Sequence, residues 1–176
     1  MSQALQTDVS ILNLLGGRRE RSAPTVRIVE PASGIAPAEG KGNLYVLVEL
    51  AGPEQGRARL VRELLNTIQE AYYRQDDAVP AALTAALQAA HSHIRQYNQY
   101  HGARIHGGAT CLAVSGAEIV SAQAGPTILA VRSQGVVQWF SPLNNESYLP
   151  LGDQTMPSVE IGRVSGAPGT AVVAMN

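Results

Sequence analysis

Residues 43–50 read Asn-Leu-Tyr-Val-Leu-Val-Glu-Leu, and this short stretch decides how the rest of the chain is arranged. The run is almost continuously apolar and is bounded by turn residues, which is typical of a central β-strand buried on both faces. Apolar side chains on both faces of one strand predict a covering layer on each side of its sheet. The strand therefore belongs in the middle of a layered domain.

Two long amphipathic helices follow this strand. From Arg57 onward apolar residues recur at helical spacing, with arginines, glutamates and glutamines opposite. Pro80 suits a first helical turn, and a second stripe ends near His101 and Gly102. Each helix has roughly five turns, and the short loop between them predicts antiparallel neighbours. The stripes comprise Leu60, Val61, Leu64, Leu65, Ile68, Ala71 and Tyr72, then Leu83, Ala86, Leu87, Ala90, Ile94 and Tyr97.

Strand-like segments lie on both sides of this helical region. The connections at 115–117 and 132–135 have hairpin length, which indicates antiparallel pairing rather than parallel strands with helical crossovers. The order of strands, two helices and further strands predicts a layered α+β domain. The predicted strands cover residues 9–14 and 25–29 before the stretch 43–50, and 109–114, 118–124, 127–132, 135–140, 158–164 and 170–175 after the helices.

Charge and cysteine content exclude several functional classes. The chain has 176 residues and a formal net charge of −1, and Lys41 is the only lysine among its thirteen basic residues. It therefore lacks the basic surface that binding to a phosphate backbone requires, and we expect no nucleic-acid partner. A single cysteine, Cys111, excludes an internal disulfide framework and a cysteine-based zinc cluster. A single cysteine is typical of a protein that resides in a reducing compartment.

The sequence also carries no targeting or membrane signal. No basic residue precedes the short apolar run at 11–15, so the start of the chain lacks the charge order of a secretory signal. The least polar stretch, 78–90, is shorter than the roughly 18 apolar residues that indicate a membrane span. We therefore expect a cytoplasmic protein without a membrane span.

Isolated reactive side chains do not form a site by spacing alone. His91 and His93 are two residues apart on a predicted helix and so face different directions, and neither His101 nor His106 completes a compact metal site. Cys111 lies in a predicted strand, where a buried small apolar residue is the simpler interpretation than a nucleophile.

Two further features have structural interpretations. Trp139 and Phe140 end a strand, where an aromatic pair favours core packing over a ligand platform. The glycine-containing turns at 16–19 and 106–110 lack the spacing of a phosphate-binding loop.

Five short motifs stand at the ends of the predicted elements. They are Gly-Gly-Arg-Arg-Glu-Arg-Ser-Ala-Pro at 16–24, Glu-Leu-Ala-Gly-Pro at 49–53, Gly-Ala-Thr at 108–110, Gln-Ala-Gly-Pro-Thr-Ile at 123–128, and Pro-Gly-Thr-Ala-Val-Val-Ala-Met-Asn at 168–176. In this order they resemble the landmarks of the metal-dependent protein phosphatases of type 2C and their bacterial relatives. The resemblance covers nearly the whole chain.

The resemblance also indicates what is missing. In that family, four of these motifs supply aspartates to the metal site. Leu50 stands where the family has a glycine whose backbone is a ligand, and Ile128 stands where it has an arginine. The aspartate positions are occupied here by Pro24, Glu49, Pro126 and Asn176.

The resemblance implies a four-layer α/β/β/α sandwich with two mainly antiparallel sheets. It also implies one phosphatase-like domain over residues 1–176 that is truncated at its C-terminus, because in the family the strand resembling 171–175 is followed by a further helix and closing strands. A site for two hard cations needs several carboxylate oxygens to activate a bridging water and clamp a phosphoryl group. Only Glu49 retains an acid, and its longer side chain would misplace the oxygen.

We therefore expect a catalytically inactive phosphatase-like domain with no catalytic residue, metal or cofactor, which acts by binding another protein chain. Two alternatives stay open. The first alternative is a divergent metal-dependent serine/threonine phosphatase that uses Glu49 and other acids such as Asp153. The second is an unrelated α+β binding protein.

Overall fold

The computed structural model describes residues 7–15, 18–20, 23–30, 40–140, 149–153 and 158–175. In chain order its elements are β1 (Asn13–Leu15), β2 (Arg18–Glu20), β3 (Val26–Val29), β4 (Asn43–Ala51), α1 (Arg57–Arg74), α2 (Val79–His101), β5 (His106–Ser115), β6 (Glu118–Ala124), β7 (Ile128–Ser133), β8 (Val136–Phe140), β9 (Glu160–Ser165) and β10 (Ala171–Met175).

Five strands form the larger sheet in the order β3-β4-β5-β6-β9, and every neighbouring pair is antiparallel. Strand β4 pairs with β5 along its whole length, from Asn43 opposite Val114 to Ala51 opposite His106. Its side chains alternate, because Leu44, Val46, Val48 and Leu50 are buried while the residues between them are half-buried or exposed. The prediction that β4 is buried on both faces was therefore wrong for the face that carries Tyr45, Leu47 and Glu49.

The two helices lie side by side on the face of this sheet that carries Leu44, Val46, Val48 and Leu50, and they pack against β4, β5 and β6. Their predicted apolar stripes form most of the core. Helix α2 ends at Gly102, whose φ of 61° is in the left-handed region that favours glycine. The C-terminal end of α1 is held by Lys41, whose Nζ donates hydrogen bonds to the backbone carbonyls of Tyr72 and Gln75. In return the Tyr72 hydroxyl donates to the Lys41 carbonyl at 2.6 Å.

Three strands form the smaller sheet in the order β10-β7-β8, again antiparallel. Leu129 and Val131 are buried on its inner face. The inner face contacts the larger sheet at Gly162 of β9, where an added Cβ would come within 2.7 Å of the Phe140 ring. The β6–β7 connection thus carries the chain from one sheet to the other.

The predicted α+β class, the two antiparallel sheets and the paired helices are confirmed. In the described residues both helices cover the larger sheet, and none covers the outer face of the smaller one. Neither of these helices is long and apolar enough to cross a membrane.

The start of the chain differs from the prediction. The strand expected at 9–14 is present only as β1, which pairs with the equally short β2. Val9, Ile11 and Leu12 precede it and are exposed. Since β2 is three residues long, it provides partners for three residues of β1 and no more.

Candidate functional site

One end of the larger sheet gathers the positions that the resemblance singles out. Glu49 lies opposite Gly108 in the β4–β5 pair. Gly108 is in turn covered by the β6–β7 turn, since an added Cβ would lie 2.8 Å from Cγ2 of Thr127 and 3.1 Å from the nitrogen of Pro126. The structure therefore brings Glu49, Gly108 and Pro126 together.

Pro24 reaches the same end of the sheet from the other side of β4. The carbonyl of the next residue, Thr25, accepts a hydrogen bond from the amide of Val48 at 2.9 Å. Asn176 lies outside the described residues, although its neighbour Met175 pairs with Ile128, two residues after Pro126.

The side chains at these positions offer little to a metal. Glu49 is an exposed carboxylate, whereas neither proline has a side-chain oxygen. The side chain of Leu50 is buried in the helix-facing core. Nowhere in the described parts of the chain do three His, Cys, Asp or Glu side chains group closely enough to hold a metal ion. The donors described here therefore do not fit a centre of two hard cations, which requires several carboxylate oxygens.

The alternative acid Asp153 is not brought beside Glu49. Leu151 bridges Gly107 through two backbone hydrogen bonds, on the edge of β5 away from β4. Strand β5 therefore separates the segment that carries Asp153 from the strand that carries Glu49. Gly152 packs against α2, since an added Cβ would lie 2.3 Å from Cγ2 of Ile94.

Between the two sheets lies a buried polar layer that the sequence analysis missed. Thr110, Gln123 and Thr127 are each at most 2% exposed. The Gln123 side-chain amide donates to the Thr127 hydroxyl at 3.2 Å. Thr110 lies opposite Gln123 in the β5–β6 pair, and its hydroxyl oxygen is buried without a hydrogen-bond partner among the described residues. Thr110 and Thr127 both belong to motifs singled out above, but strand alternation alone does not reveal that they meet.

The four histidines lie in separate surroundings. His91 is buried in α2 and accepts a hydrogen bond from the amide of Gly152. His93 lies 3.3 Å from the Thr67 hydroxyl and 3.4 Å from the Glu63 carboxylate. His101 packs its ring against Tyr97, and His106 is exposed at the start of β5.

Cys111 and the aromatic pair have different outcomes. Cys111 is fully buried, as predicted, and burial raises the pKa of its thiol to about 12, so it is not a thiolate near neutral pH. Phe140 points inward toward Gly162, but Trp139 on the opposite face of β8 is 59% exposed. The prediction that both aromatic residues pack in the core was therefore wrong for Trp139.

Comparisons with solved structures identify the fold. PppA, a key regulatory component of T6SS in Pseudomonas aeruginosa, matches 86% of this chain and 69% of its own with a TM-score of 0.62 and 16% identity. A serine/threonine phosphatase from Staphylococcus aureus matches 94% and 74% with a TM-score of 0.65 and 10% identity. The chain has the fold of the type 2C serine/threonine phosphatases. A third example, the serine/threonine phosphatase of S. agalactiae, matches 88% and 74% with a TM-score of 0.65 and 12% identity.

At these identities the likeness shows the type 2C fold alone. No profile of a known protein family matches the sequence, and no curated protein does. The assignment of Pro24, Glu49 and Pro126 to ligand positions of the type 2C fold therefore rests on the order of the motifs and on their meeting at one end of the sheet.

Proposed function

We propose that this chain is a catalytically inactive type 2C phosphatase-like domain, a pseudophosphatase, that acts in the cytoplasm by binding another protein. The observation that carries the proposal is the composition of the sheet end. The fold brings Pro24, Glu49 and Pro126 together there, and Glu49 is the one acid among the three.

The chemistry of metal-dependent phosphate hydrolysis explains why one acid is too few. Mg²⁺ and Mn²⁺ take oxygen ligands, and Mg²⁺ in particular gives up its water shell reluctantly. The metals in such a site lower the pKa of a bound water and clamp the phosphoryl oxygens. Glu49 alone does not replace enough waters to hold two ions, so the nucleophile is not generated.

Pro126 also changes the shape of the site. Its Cδ atom would lie 3.2 Å from a Cβ on Gly108, so the apolar ring covers the strand beside Glu49. Proline also provides no backbone N–H. A neighbouring rotamer cannot restore the lost oxygen, because no acidic side chain adjoins Pro126 in the sequence.

A binding role is supported by the preserved scaffold. The five-stranded sheet and both helices form with a single acid among Pro24, Glu49 and Pro126, so the scaffold does not depend on a cluster of carboxylates at the sheet end. One similar structure, PppA, is described as a regulatory component rather than by an activity. Protein binding is a use of the fold that needs no metal.

The test combines metal binding with hydrolysis. We expect no saturable heat on titration with Mn²⁺ and no Mn²⁺-dependent hydrolysis of p-nitrophenyl phosphate, with an active type 2C phosphatase as positive control. The matched variants are Glu49→Ala at the site and Glu54→Ala, which removes an exposed acid five residues further along the chain.

The retained acid at position 49 favours one competing function, a divergent metal-dependent serine/threonine phosphatase. Mn²⁺-dependent turnover that is lost in Glu49→Ala but kept in Glu54→Ala would establish that function and overturn the proposal.

A further inference from the structure

His91 is a buried histidine that the proposed function does not use. It lies on α2 with 2% of its surface exposed, and its Nδ1 atom accepts a hydrogen bond of 3.1 Å from the backbone amide of Gly152. An imidazole nitrogen that accepts a hydrogen bond carries no proton, so the ring is neutral and its one proton is on Nε2. The contact with Gly152 therefore exists only while His91 is uncharged.

The segment that His91 holds, residues 149–153, completes the larger sheet beside the candidate site. Strand β6 does not reach Gly107, and Leu151 takes the neighbouring place through two backbone hydrogen bonds with Gly107. Gly107 lies one residue from the position opposite Glu49. If this segment were released, the backbone groups of Gly107 would lose these partners next to the sheet end.

The same segment is docked as a tight turn. The amide of Asp153 donates to the carbonyl of Pro150 at 3.4 Å, and Gly152 between them has a φ of 90°, in the left-handed region that favours glycine. A Cβ added to Gly152 would collide with Cγ2 of Ile94 on α2. Because the turn packs this closely on the helix, the amide of Gly152 stays aimed at His91 while the turn is docked.

Protonation of His91 is incompatible with this arrangement. A proton on Nδ1 would point one N–H at another, because the amide of Gly152 is itself a donor. It would also place a positive charge on a ring that is 2% exposed, and burying a charge is costly unless a partner compensates it. The ring can take a proton at lower cost once the segment 149–153 has moved away and water has entered.

The charged groups on the described elements packed around His91 do not favour a positive charge on the ring. Arg95 follows one turn along α2 and repels a second positive charge on that helix. Cys111 of β5 is a buried neutral thiol, and Asp153 is exposed to water, which screens its carboxylate. The side of α2 that faces α1 carries His93 instead. The other titratable residues of β5 and β6 lie exposed at strand ends, namely His106 and Glu118.

We propose that His91 is a pH-dependent latch, which holds the segment 149–153 against the sheet end while it is neutral and releases the segment when it is protonated. In the open state the ring is in water, where a histidine takes a proton near about pH 6.5. The closed state is therefore favoured above that pH and gives way to the open state below it. With one proton taken up on opening, the opening equilibrium constant should rise about tenfold between pH 7.5 and 5.5.

Amide hydrogen exchange of the full chain measures this opening, with protection factors corrected for the intrinsic effect of pH on exchange. We expect the protection of the Gly152 and Leu151 amides to fall about tenfold from pH 7.5 to 5.5. The amide of Cys111, in the part of β5 that pairs with strands on both sides, should stay far more protected at both pH values. That difference would show that the segment opens without unfolding of the whole chain.

Two matched variants make the test specific. His91→Asn keeps a side-chain oxygen near the position of Nδ1 as an acceptor for Gly152 but does not titrate, so the protection of Gly152 should no longer depend on pH. His93→Asn changes the half-buried histidine two residues along α2, which lies 3.3 Å from the Thr67 hydroxyl, and should keep the full dependence. If His91→Asn does not fold, the ring nitrogen chemical shifts of the wild-type protein report the protonation state of His91 directly.

Four results would overturn the inference. They are equal protection of Gly152 at the two pH values, a pH dependence that persists in His91→Asn, exchange of Cys111 as fast as that of Gly152, and a protonated His91 ring while Gly152 is still protected. The inference goes beyond the proposed function and does not depend on it. Mn²⁺-dependent hydrolysis would overturn the pseudophosphatase proposal and leave the exchange result standing.

Discussion

Replacing Thr110 with valine should make the protein more stable, although it removes a polar group at a position the type 2C resemblance singles out. The Thr110 hydroxyl is buried without a hydrogen-bond partner among the described residues. Burying such a group costs about 1–3 kcal/mol in protein mutational data. Valine keeps the branched shape and suits a strand, so we expect the free energy of unfolding to rise by about 1–2 kcal/mol.

Thr127→Val is the matched variant, because Thr127 is equally buried and lies in the same polar layer. Its hydroxyl accepts the side-chain hydrogen bond of Gln123. Valine at this position leaves the buried amide of Gln123 without that acceptor, which should lower the free energy of unfolding by about 1–3 kcal/mol. The same chemical change therefore has opposite signs at two neighbouring sites.

Urea unfolding measures both effects, with the midpoint shifting while the slope stays constant. In a chain of this size, 1 kcal/mol corresponds to a change of about 2–4 °C in the melting temperature. A destabilised Thr110→Val variant would refute the reasoning, because it would show that the hydroxyl has a partner in solution, such as a bound water or ligand. An unchanged free energy of unfolding in Thr127→Val would show that the hydrogen bond from Gln123 to Thr127 does not stabilise the protein.

Two further predictions concern the C-terminal end of α1. Lys41→Met removes the amine that donates to the carbonyls of Tyr72 and Gln75, so we expect a loss of about 1.5–3 kcal/mol in urea unfolding; an unchanged midpoint would show that the amine does not hold the helix end. Burial raises the pKa of Tyr73 to about 12 from its ordinary 10, so the hydroxyl ionises more readily in the unfolded chain than in the folded one. The stability that the buried neutral hydroxyl contributes is therefore complete below pH 10 and is lost as the pH rises to 12. Tyr73→Phe should therefore reduce the loss of stability between pH 9 and 12, and an equally steep loss in both proteins would contradict the assignment.

Most elements could be predicted from the sequence because their signals are local. The helices begin and end within a residue or two of the predicted positions, since Pro80 and Gly102 mark the limits of α2. The strands after the helices also lie close to their predicted ranges. What covers a strand is not local, so the second face of β4 and the exposure of Trp139 were both predicted wrongly.

For the candidate site, the sequence indicated which positions to compare with the type 2C family but not which side chains meet. The order of the motifs singled out Glu49, Gly108 and Pro126, but that they meet at one end of the larger sheet is seen only in the structure. The contact of Lys41 with the end of α1 joins residues 31 apart in the chain, and the β6–β7 turn packs Thr127 against Gly108 and Gln123. Such contacts depend on how the layers dock, which hydropathy patterns do not encode.

The larger sheet and the helices contribute most of the buried apolar side chains and the smaller sheet contributes few, so we expect the two sheets to differ in local stability. The main buried cluster draws on α1, α2, β4, β5 and β6, whereas Leu129 and Val131 of the smaller sheet lie outside it. Regions with fewer buried apolar contacts open at lower free energy than the rest of a protein. Amide hydrogen exchange should therefore divide the chain into two units, with β7, β8 and β10 opening while β4 and β5 stay closed.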